Sequence, residues 1–400
     1  MSEMDSEAGA QLKYEEPKGK WFMRSRSDKL EGCKKCCKKC CKVCFAITLL
    51  TVVVLLITFA IFASNSKEAA NFPVYSLLPE DKVWVIAHRG GNNLWPDNTV
   101  FAFKNAMALG SDILEFDVRL TSDNEVVVIH DETTGETTEV DSRVQDLTLA
   151  ELQSLDAGYS FGSLYRETAA FDSPERSDPA QTFPFRGLGL RIPTLVEVFV
   201  EFPDVPKLIE MKALVEGLEN PTVPDDLIAN LCDLIQTYNQ TDKVIIGSFL
   251  QDAVESFRDI CPDVSVSPGY SSIFSLYLAA MFGMEKAVSP AYETISIPES
   301  VDIGPFTIEV TKKRMFEAAK NRNVKTGVWT INDVDSMEEL IERGARGIIT
   351  DRVDLLQNLN GNLTEENIVT LEELQATGTG EACINNATLL TTAGCEYLGL

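Results

Sequence analysis

From Val83 to about residue 360 the chain alternates between two hydrophobic patterns. Short aliphatic, β-branched runs read as strands: Val83–Ala87, Ile113–Leu120, Lys207–Met211, Val244–Phe249, Val264–Ser267, Ala287–Tyr292, Lys325–Ile331 and Gly347–Thr350. Between most of them apolar residues recur at helical spacing, over Thr99–Leu109, Thr194–Glu201, Asp225–Tyr238, Leu250–Asp259, Ile273–Met281, Lys312–Asn321 and Ser336–Arg343. Thr194 and Glu197, just after Pro193, carry a capping-box signature. Strand–helix alternation gives a parallel sheet covered on both faces. Eight such strands fit a (β/α)8 TIM barrel better than the alternative, a doubly wound open sheet.

One stretch breaks the alternation, ILEFDVRLTSDNEVVVIHD, residues 113–131. The link between its two strand patterns is too short for a parallel crossover, so it predicts an antiparallel hairpin added to the second barrel strand. A turn centred on Asp123-Asn124 would set His130 opposite Asp117, on one face with Glu115. Between Asp131 and Pro193 the barrel rhythm stops. A helix opened by the capping box Thr148–Glu151 is expected there, among Tyr159, Phe161, Tyr165, Phe171, Phe183 and Phe185. This insertion, 132–193, leaves the top of the barrel and reads as a lid or substrate-shaping subdomain.

Ahead of the barrel, Val43–Ala63 is almost wholly apolar, and no charge occurs from Val43 to Ser66. At 1.5 Å per residue this run crosses a bilayer, so 43–64 is expected to be a retained transmembrane helix; a cleaved signal peptide is the alternative. Ten Lys and Arg lie between Lys18 and Lys42 against Asp28 and Glu31. The positive-inside rule then keeps residues 1–42 in the cytosol and places the rest outside or in a lumen, a type II topology. Residues 65–82 read as a stalk and 361–400 as a polar tail. Cys33, Cys36, Cys37, Cys40, Cys41 and Cys44 form one helical stripe beside lysine pairs. S-acylation at a cytosolic leaflet is the favoured reading, with zinc binding or an unmodified thiol stripe as alternatives. The remaining cysteines, Cys232, Cys261, Cys383 and Cys395, suit two disulfides in an oxidising compartment, most economically Cys232–Cys261 and Cys383–Cys395. Sequons start at Asn239, Asn362 and Asn386. A net charge of −26 argues against a nucleic-acid partner.

The polar residues at the strand ends carry the chemistry. Strand one ends in His88-Arg89-Gly90-Gly91, strand two bears Glu115 and Asp117, and its hairpin ends in His130-Asp131. Strand three bears Glu210 and Lys212, strand seven ends in Trp329-Thr330-Ile331-Asn332, and strand eight in Thr350-Asp351. A barrel gathers all of these at one mouth. Glu115, Asp117 and Glu210 would repel one another unless a cation sat among them, and an all-oxygen set suits Ca²⁺ or Mg²⁺. Arg89 offers a planar fork for a phosphate, Gly90-Gly91 would let backbone amides approach it, and His88 and His130, the chain's two histidines, could serve as acid and base. The set reads as metal-assisted phosphodiester cleavage; the bland alternative is an ion-pair network stabilising the barrel mouth.

The motifs HRGGNNLWPDNT, LEFDVRLTSDNEVVVIHD, LIEMK, VWTIN and ITD occur in that order. With them the chain resembles the glycerophosphodiester phosphodiesterase family over about residues 83–360. The resemblance implies a TIM barrel with a subdomain inserted after the second strand, and hydrolysis of a glycerophosphodiester to sn-glycerol 3-phosphate and an alcohol. It implies His88 and His130 as the catalytic pair, Glu115, Asp117 and Glu210 as ligands of Ca²⁺ or Mg²⁺, and Arg89 and Lys212 as phosphate contacts. Trp329 joins them as a candidate substrate contact. Asp97 departs from the family's usual Glu, which leaves its role open. Two alternatives stand beside this reading: a lysophospholipase D acting on lysophospholipids, and a surface receptor with a relic barrel.

Overall fold

The computed structural model describes residues 26–162, 182–215, 220–304 and 306–362, with backbone only for 26–41, 55, 56 and 303. Tyr165, Phe171, Cys383, Cys395, the sequon at 386–388 and nearly all of the 361–400 tail lie outside these residues, as do the side chains of Cys33 to Cys41. The chain divides into two compact units, Met1–Ile61 and Phe62–Leu400. Helix α1, Arg26–Asn65, contains a segment, Lys42–Asn65, that is long and apolar enough to cross a membrane.

In chain order the second unit contains β1 (Trp84–Ala87), α2 (Val100–Ala108), β2 (Ile113–Leu120), β3 (Val126–Val128), α3 (Leu149–Gln153), α4 (Leu195–Glu201), β4 (Lys207–Met211), α5 (Asp225–Thr237) and β5 (Val244–Gly247). It continues with α6 (Gln251–Ile260), β6 (Ser265–Ser267), α7 (Tyr270–Phe282), β7 (Thr294–Pro298), β8 (Ser300–Ile303), β9 (Phe306–Glu309), α8 (Lys313–Asn321), β10 (Lys325–Trp329), α9 (Val334–Arg343), β11 (Gly347–Thr350) and α10 (Val353–Leu359). Eight strands pair in parallel in the order β6-β5-β4-β2-β1-β11-β10-β7, a nearly closed barrel. At the seam between β6 and β7, Glu293 bridges the gap: its amide donates to the Val266 carbonyl and its carboxylate accepts from the Val266 amide.

The strands depart from expectation in the following ways. The sixth barrel strand is Thr294–Pro298, not Ala287–Tyr292. Residues 285–287 form a single 3₁₀ turn, and Pro290 lacks the amide that a ladder needs. A second hairpin, β8–β9, follows that strand and was not foreseen. Finally, β2 and β3 pair as Val118↔Val128 and Leu120↔Val126, one residue off the expected register. The link is a three-residue loop rather than a two-residue one. Asn124 takes a left-handed conformation (φ 63°), and the Thr121 hydroxyl donates to the Asp123 carboxylate at 2.6 Å. Ile129, not His130, lies across from Asp117, and its amide donates to the Asp117 carbonyl. β3 ends at Val128, so His130 reaches the mouth from a loop.

Two-residue periodicity decides what faces the barrel axis. In β1, β2, β4 and β11 the residues Val85, Leu114, Phe116, Val118, Ile209, Met211 and Ile348 pack outward into the core beneath the helices. Trp84, Ile86, Ile113, Leu208, Ile245 and Ile349 point inward and fill the lower barrel. One further step up the strands the inward positions are His88, Glu115, Glu210 and Asp351, and one step beyond them Asp117 and Lys212. The axis is therefore apolar at its closed end and ionisable at its mouth.

Residues 66–82, expected as a stalk, are packed across that closed end. Val74 and Leu78 are buried against the inner layer, and Tyr75 stacks on Trp84 with ring centroids 6.2 Å apart. The Tyr75 hydroxyl bonds Ser265 Oγ and Thr294 Oγ1, at the starts of β6 and β7. Arg346 donates to the carbonyls of Pro79, Glu80 and Lys82. The described part of the insertion also folds onto the barrel. Both expected capping boxes form, and Phe185 packs on Phe161 and Phe101 inside the core.

Candidate active site

The first turn after β1 sets up the site. Arg89 takes a left-handed conformation (φ 50°) and its amide donates to Glu115 Oε2 at 3.0 Å. Gly90 follows at φ 84°, where a Cβ would sit 2.8 Å from the Cβ of Ala102. Only glycine allows α2 to approach this closely. The Gly91 amide is spent on the His88 carbonyl at 2.8 Å, which closes the turn. Strain of this kind concentrates at functional sites.

The structure brings together every predicted site residue. Carboxylate oxygens of Glu115, Asp117 and Glu210 lie within 4.8 Å of one another. Lys212 Nζ lies 3.3 Å from Asp117 Oδ1 and 3.1 Å from Glu210 Oε1. Arg89 Nε is 3.6 Å from Asp117 Oδ2 and its Nη1 is 3.8 Å from Asp97 Oδ2. Asp97 thus belongs to the Arg89 side of the site, with its carboxyl pushed up to about 6 by burial against the opposing pull of Arg89. Trp329 stands at the opposite wall, beside Phe249 with ring centroids 5.7 Å apart, and Phe249 stacks on Tyr270 at 5.2 Å. These three rings, with Ser248, Ser267 and Ser296, line a cavity that opens from His88, Glu115 and Glu210.

Each histidine has a carboxylate partner that sequence reasoning did not assign. His88 Nδ1 is 2.6 Å from Asp351 Oδ1, and His130 Nδ1 is 2.7 Å from Asp131 Oδ1. A carboxylate only accepts, so both Nδ1 atoms carry the proton and both Nε2 atoms are left for chemistry. Asp351 is itself fixed: Asn332 Nδ2 donates to its Oδ2 at 2.7 Å, and its amide donates to Asn332 Oδ1 at 2.8 Å. Arg119, one inward position above Asp117, is buried. It donates from Nε to the His130 carbonyl (2.9 Å) and from Nη1 to the Ala213 carbonyl (3.0 Å), tying the hairpin end to the segment that carries Lys212. The only sequence signal for these partners is their place at strand ends.

The charges are unevenly shared. Burial, and then the neighbouring Asp117, push Glu115 up to about 7. Burial likewise raises Glu210, against Lys212. Burial would also raise Asp117, but Lys212, His130 and Arg89 hold it well below the usual carboxylate range. Two carboxyls with raised pKa crowded against a third that stays low form a donor set suited to a cation. A divalent ion fits this donor set in charge and in ligand type. The two histidines also differ. Burial disfavours charge on His88, yet Asp351 more than offsets it and the pKa lies above the ordinary value. At His130 burial wins over Asp117 and Asp131, and the pKa is lowered.

Comparison with known proteins agrees with this geometry. A sequence profile of the Glycerophosphoryl diester phosphodiesterase family matches residues 88–355. A glycerophosphodiester phosphodiesterase of Caldanaerobacter subterraneus is 33% identical over 278 residues, covering 70% of this chain and 98% of that protein. A human lysophospholipase D is 25% identical over 296 residues, 70% of this chain and 86% of its own length. Among solved structures, an Oleispira antarctica phosphodiesterase in complex with the product sn-glycerol-3-phosphate shares the fold. Its TM-score is 0.52 at 24% identity, covering 72% of this chain and 99% of that one.

Proposed function

The chain belongs to the glycerophosphoryl diester phosphodiesterase family, and from that premise we propose that it hydrolyses glycerophosphodiesters to sn-glycerol 3-phosphate and an alcohol, with His88 and His130 as acid and base. One observation carries the proposal: two histidines, each held at Nδ1 by an aspartate, converge with Arg89, Lys212 and three carboxylates on one barrel mouth. Arg89 and Lys212 would bind the non-bridging phosphate oxygens and stabilise the charge that builds on them. Glu115, Asp117 and Glu210 would hold Ca²⁺ or Mg²⁺, which supplies positive charge to the phosphate and glycerol oxygens. His130, whose pKa burial lowers, takes a proton from the attacking hydroxyl, of water or of the substrate itself. His88, whose pKa Asp351 raises, gives its proton to the alcohol oxygen as the P–O bond breaks. Trp329 and Phe249 would pack against the carbon skeleton of the substrate.

A second reading uses the same site on lysophospholipids. Its support is the aromatic cavity wall beside the carboxylates and the likeness to the human lysophospholipase D. A substrate panel separates the two. The full chain, in detergent with Ca²⁺ or Mg²⁺, is given glycerophosphocholine and lysophosphatidylcholine at equal concentration, and both products are identified. Release of sn-glycerol 3-phosphate with higher kcat/KM on the first supports the leading reading. Preferred formation of lysophosphatidic acid supports the second, and turnover of neither removes both.

We propose a tail at 1–42, a single span at 43–64 and a barrel at 83–360, with the catalytic unit on the extracellular or lumenal side. Supports are the apolar helix, the basic flank before it, and a disulfide between Cys232 and Cys261, which belongs to an oxidising compartment. Asn239, the first residue of a sequon, is exposed. S-acylation of Cys33, Cys36, Cys37, Cys40, Cys41 and Cys44 would fix the tail to the cytosolic leaflet, and hydroxylamine-sensitive acyl label on these residues is the check.

A further inference from the structure

Helix α7, Tyr270–Phe282, departs from the other helices of its unit. No charged residue occurs between Asp263 and Glu285. Each other described helix of the barrel unit carries at least one charged side chain. A barrel helix normally buries one face against the sheet and hydrates the other. α8 and α9 do so, burying Met315, Phe316, Met337 and Leu340 and turning lysine, glutamate and arginine outward. α7 buries Leu276, Tyr277 and Ala280, and its outward stripe is apolar too. Tyr270, Phe274, Leu278 and Phe282, spaced four apart, are 49%, 47%, 41% and 74% exposed, and Met284 just beyond them is 44% exposed. A continuous apolar stripe facing water marks a surface that is covered in use.

Its place in the unit says what covers it. The chain comes out of the apolar run 43–63 and is at once tied to the lower end of this helix. The Ser66 hydroxyl donates to the Lys286 carbonyl, and the Lys67 amide donates to Ser289 Oγ at 3.1 Å. Lys286 is two residues from Met284 and four from Phe282. A lipid surface that holds residues 43–63 is therefore within a few residues' reach of the stripe. So short a tether makes the contact effectively intramolecular. At its other end Tyr270 stacks on Phe249 at the rim of the catalytic cavity.

We propose that the outer face of α7, from Phe274 to Met284, is a lipid-contacting surface seated at the boundary between head groups and acyl chains. The proposal goes beyond the hydrolytic reading and rests on the membrane-anchored one. A second copy of the chain is the competing occupant. The test uses the full chain in phosphatidylcholine vesicles doped with a lipid that carries a diazirine high on its acyl chain. After photolysis, adducts are mapped by peptide mass spectrometry. The expected result is adducts within 270–284 as well as within 43–63. The double change Leu278→Asp with Phe282→Asp should cut the first by 10-fold or more. It should leave the second, and turnover of glycerophosphocholine, within twofold. If the double variant loses turnover, Phe282→Ser alone repeats the comparison. Adducts on 43–63 only overturn the proposal, as does cross-linking of 270–284 to another copy in place of lipid. Adducts on neither segment overturn the anchored reading and the proposal with it.

Discussion

Changing Asp351 to Asn tests the assignment of His88 as the proton donor. The side chain keeps its size and its contact with Asn332, but loses the charge 2.6 Å from His88 Nδ1. Burial already opposes charge on His88, and Asp351 is the largest influence in the other direction. A hydrogen bond to a charged group contributes about 1.5–3 kcal/mol net. At 1.36 kcal/mol per pKa unit its loss should lower the His88 pKa by about 1–2 units. At neutral pH a smaller fraction of the enzyme then carries a proton on His88. The amide also offers an N–H toward Nδ1, favouring the tautomer with its proton on Nε2. The assay is a pH–rate profile on glycerophosphocholine. The expected outcome is kcat down by about 10²-fold at pH 7, with KM within a few-fold and the alkaline limb moved about 1–2 units to lower pH. A phosphodiester with a p-nitrophenol leaving group needs little protonation, so on it the loss should shrink to a few-fold. An unmoved alkaline limb, or an equal loss on both substrates, would refute His88 as the acid.

Four further outcomes are expected. Arg119→Leu leaves the half-buried carbonyls of His130 and Ala213 without their donor, which should destabilise by about 1–3 kcal/mol in denaturant titration and lower kcat about 10-fold. Arg119→Lys should recover part of both. Gly90→Ala forces a Cβ to 2.8 Å from Ala102 at φ 84° and should cost about 2 kcal/mol or more, read by thermal unfolding, while displacing Arg89 and raising KM. Replacing Cys232 and Cys261 by Ser opens a loop of 29-residue separation and should remove about 3–4 kcal/mol, seen as a lower Tm without change in metal affinity. A cation must displace the proton from Glu115, whose pKa without metal is about 7. Affinity for Ca²⁺ or Mg²⁺ by calorimetry should therefore fall as pH drops below 7, by up to about 10-fold per unit, and level off above it.

Much of the site could be read from the chain because strand alternation is local. His88, Glu115, Asp117, Glu210 and Lys212 are inward positions just above inward apolar ones, and two-residue periodicity carries that information without any tertiary knowledge. Partners joined only by barrel closure left no comparable trace. Asp351 meets His88 across 263 residues, through the pairing of β1 with β11. The hairpin register escaped because it is set by Asn124 in a left-handed turn and by the Thr121–Asp123 bond, without a glycine to announce it. The sixth strand escaped because Ala287–Tyr292 is as apolar as the true strand, and Pro290 is the one local mark against it. Residues 66–82 look like a polar linker, yet Val74, Tyr75 and Leu78 supply the floor of the barrel. That role becomes visible only once the lower ends of β6, β7 and β1 are in place.

The most direct test of the account is turnover by full chains carrying His88→Ala or His130→Ala. Each is measured with glycerophosphocholine and saturating Ca²⁺ or Mg²⁺, beside unaltered enzyme with and without EDTA. General acid–base catalysis contributes about 10²–10⁴-fold, so each variant should lose about that much kcat, and EDTA should abolish turnover of the unaltered chain. Folding is verified by unchanged thermal unfolding. Turnover within a few-fold of the unaltered enzyme in either histidine variant, or full activity in EDTA, would contradict the two-histidine, cation-assisted mechanism.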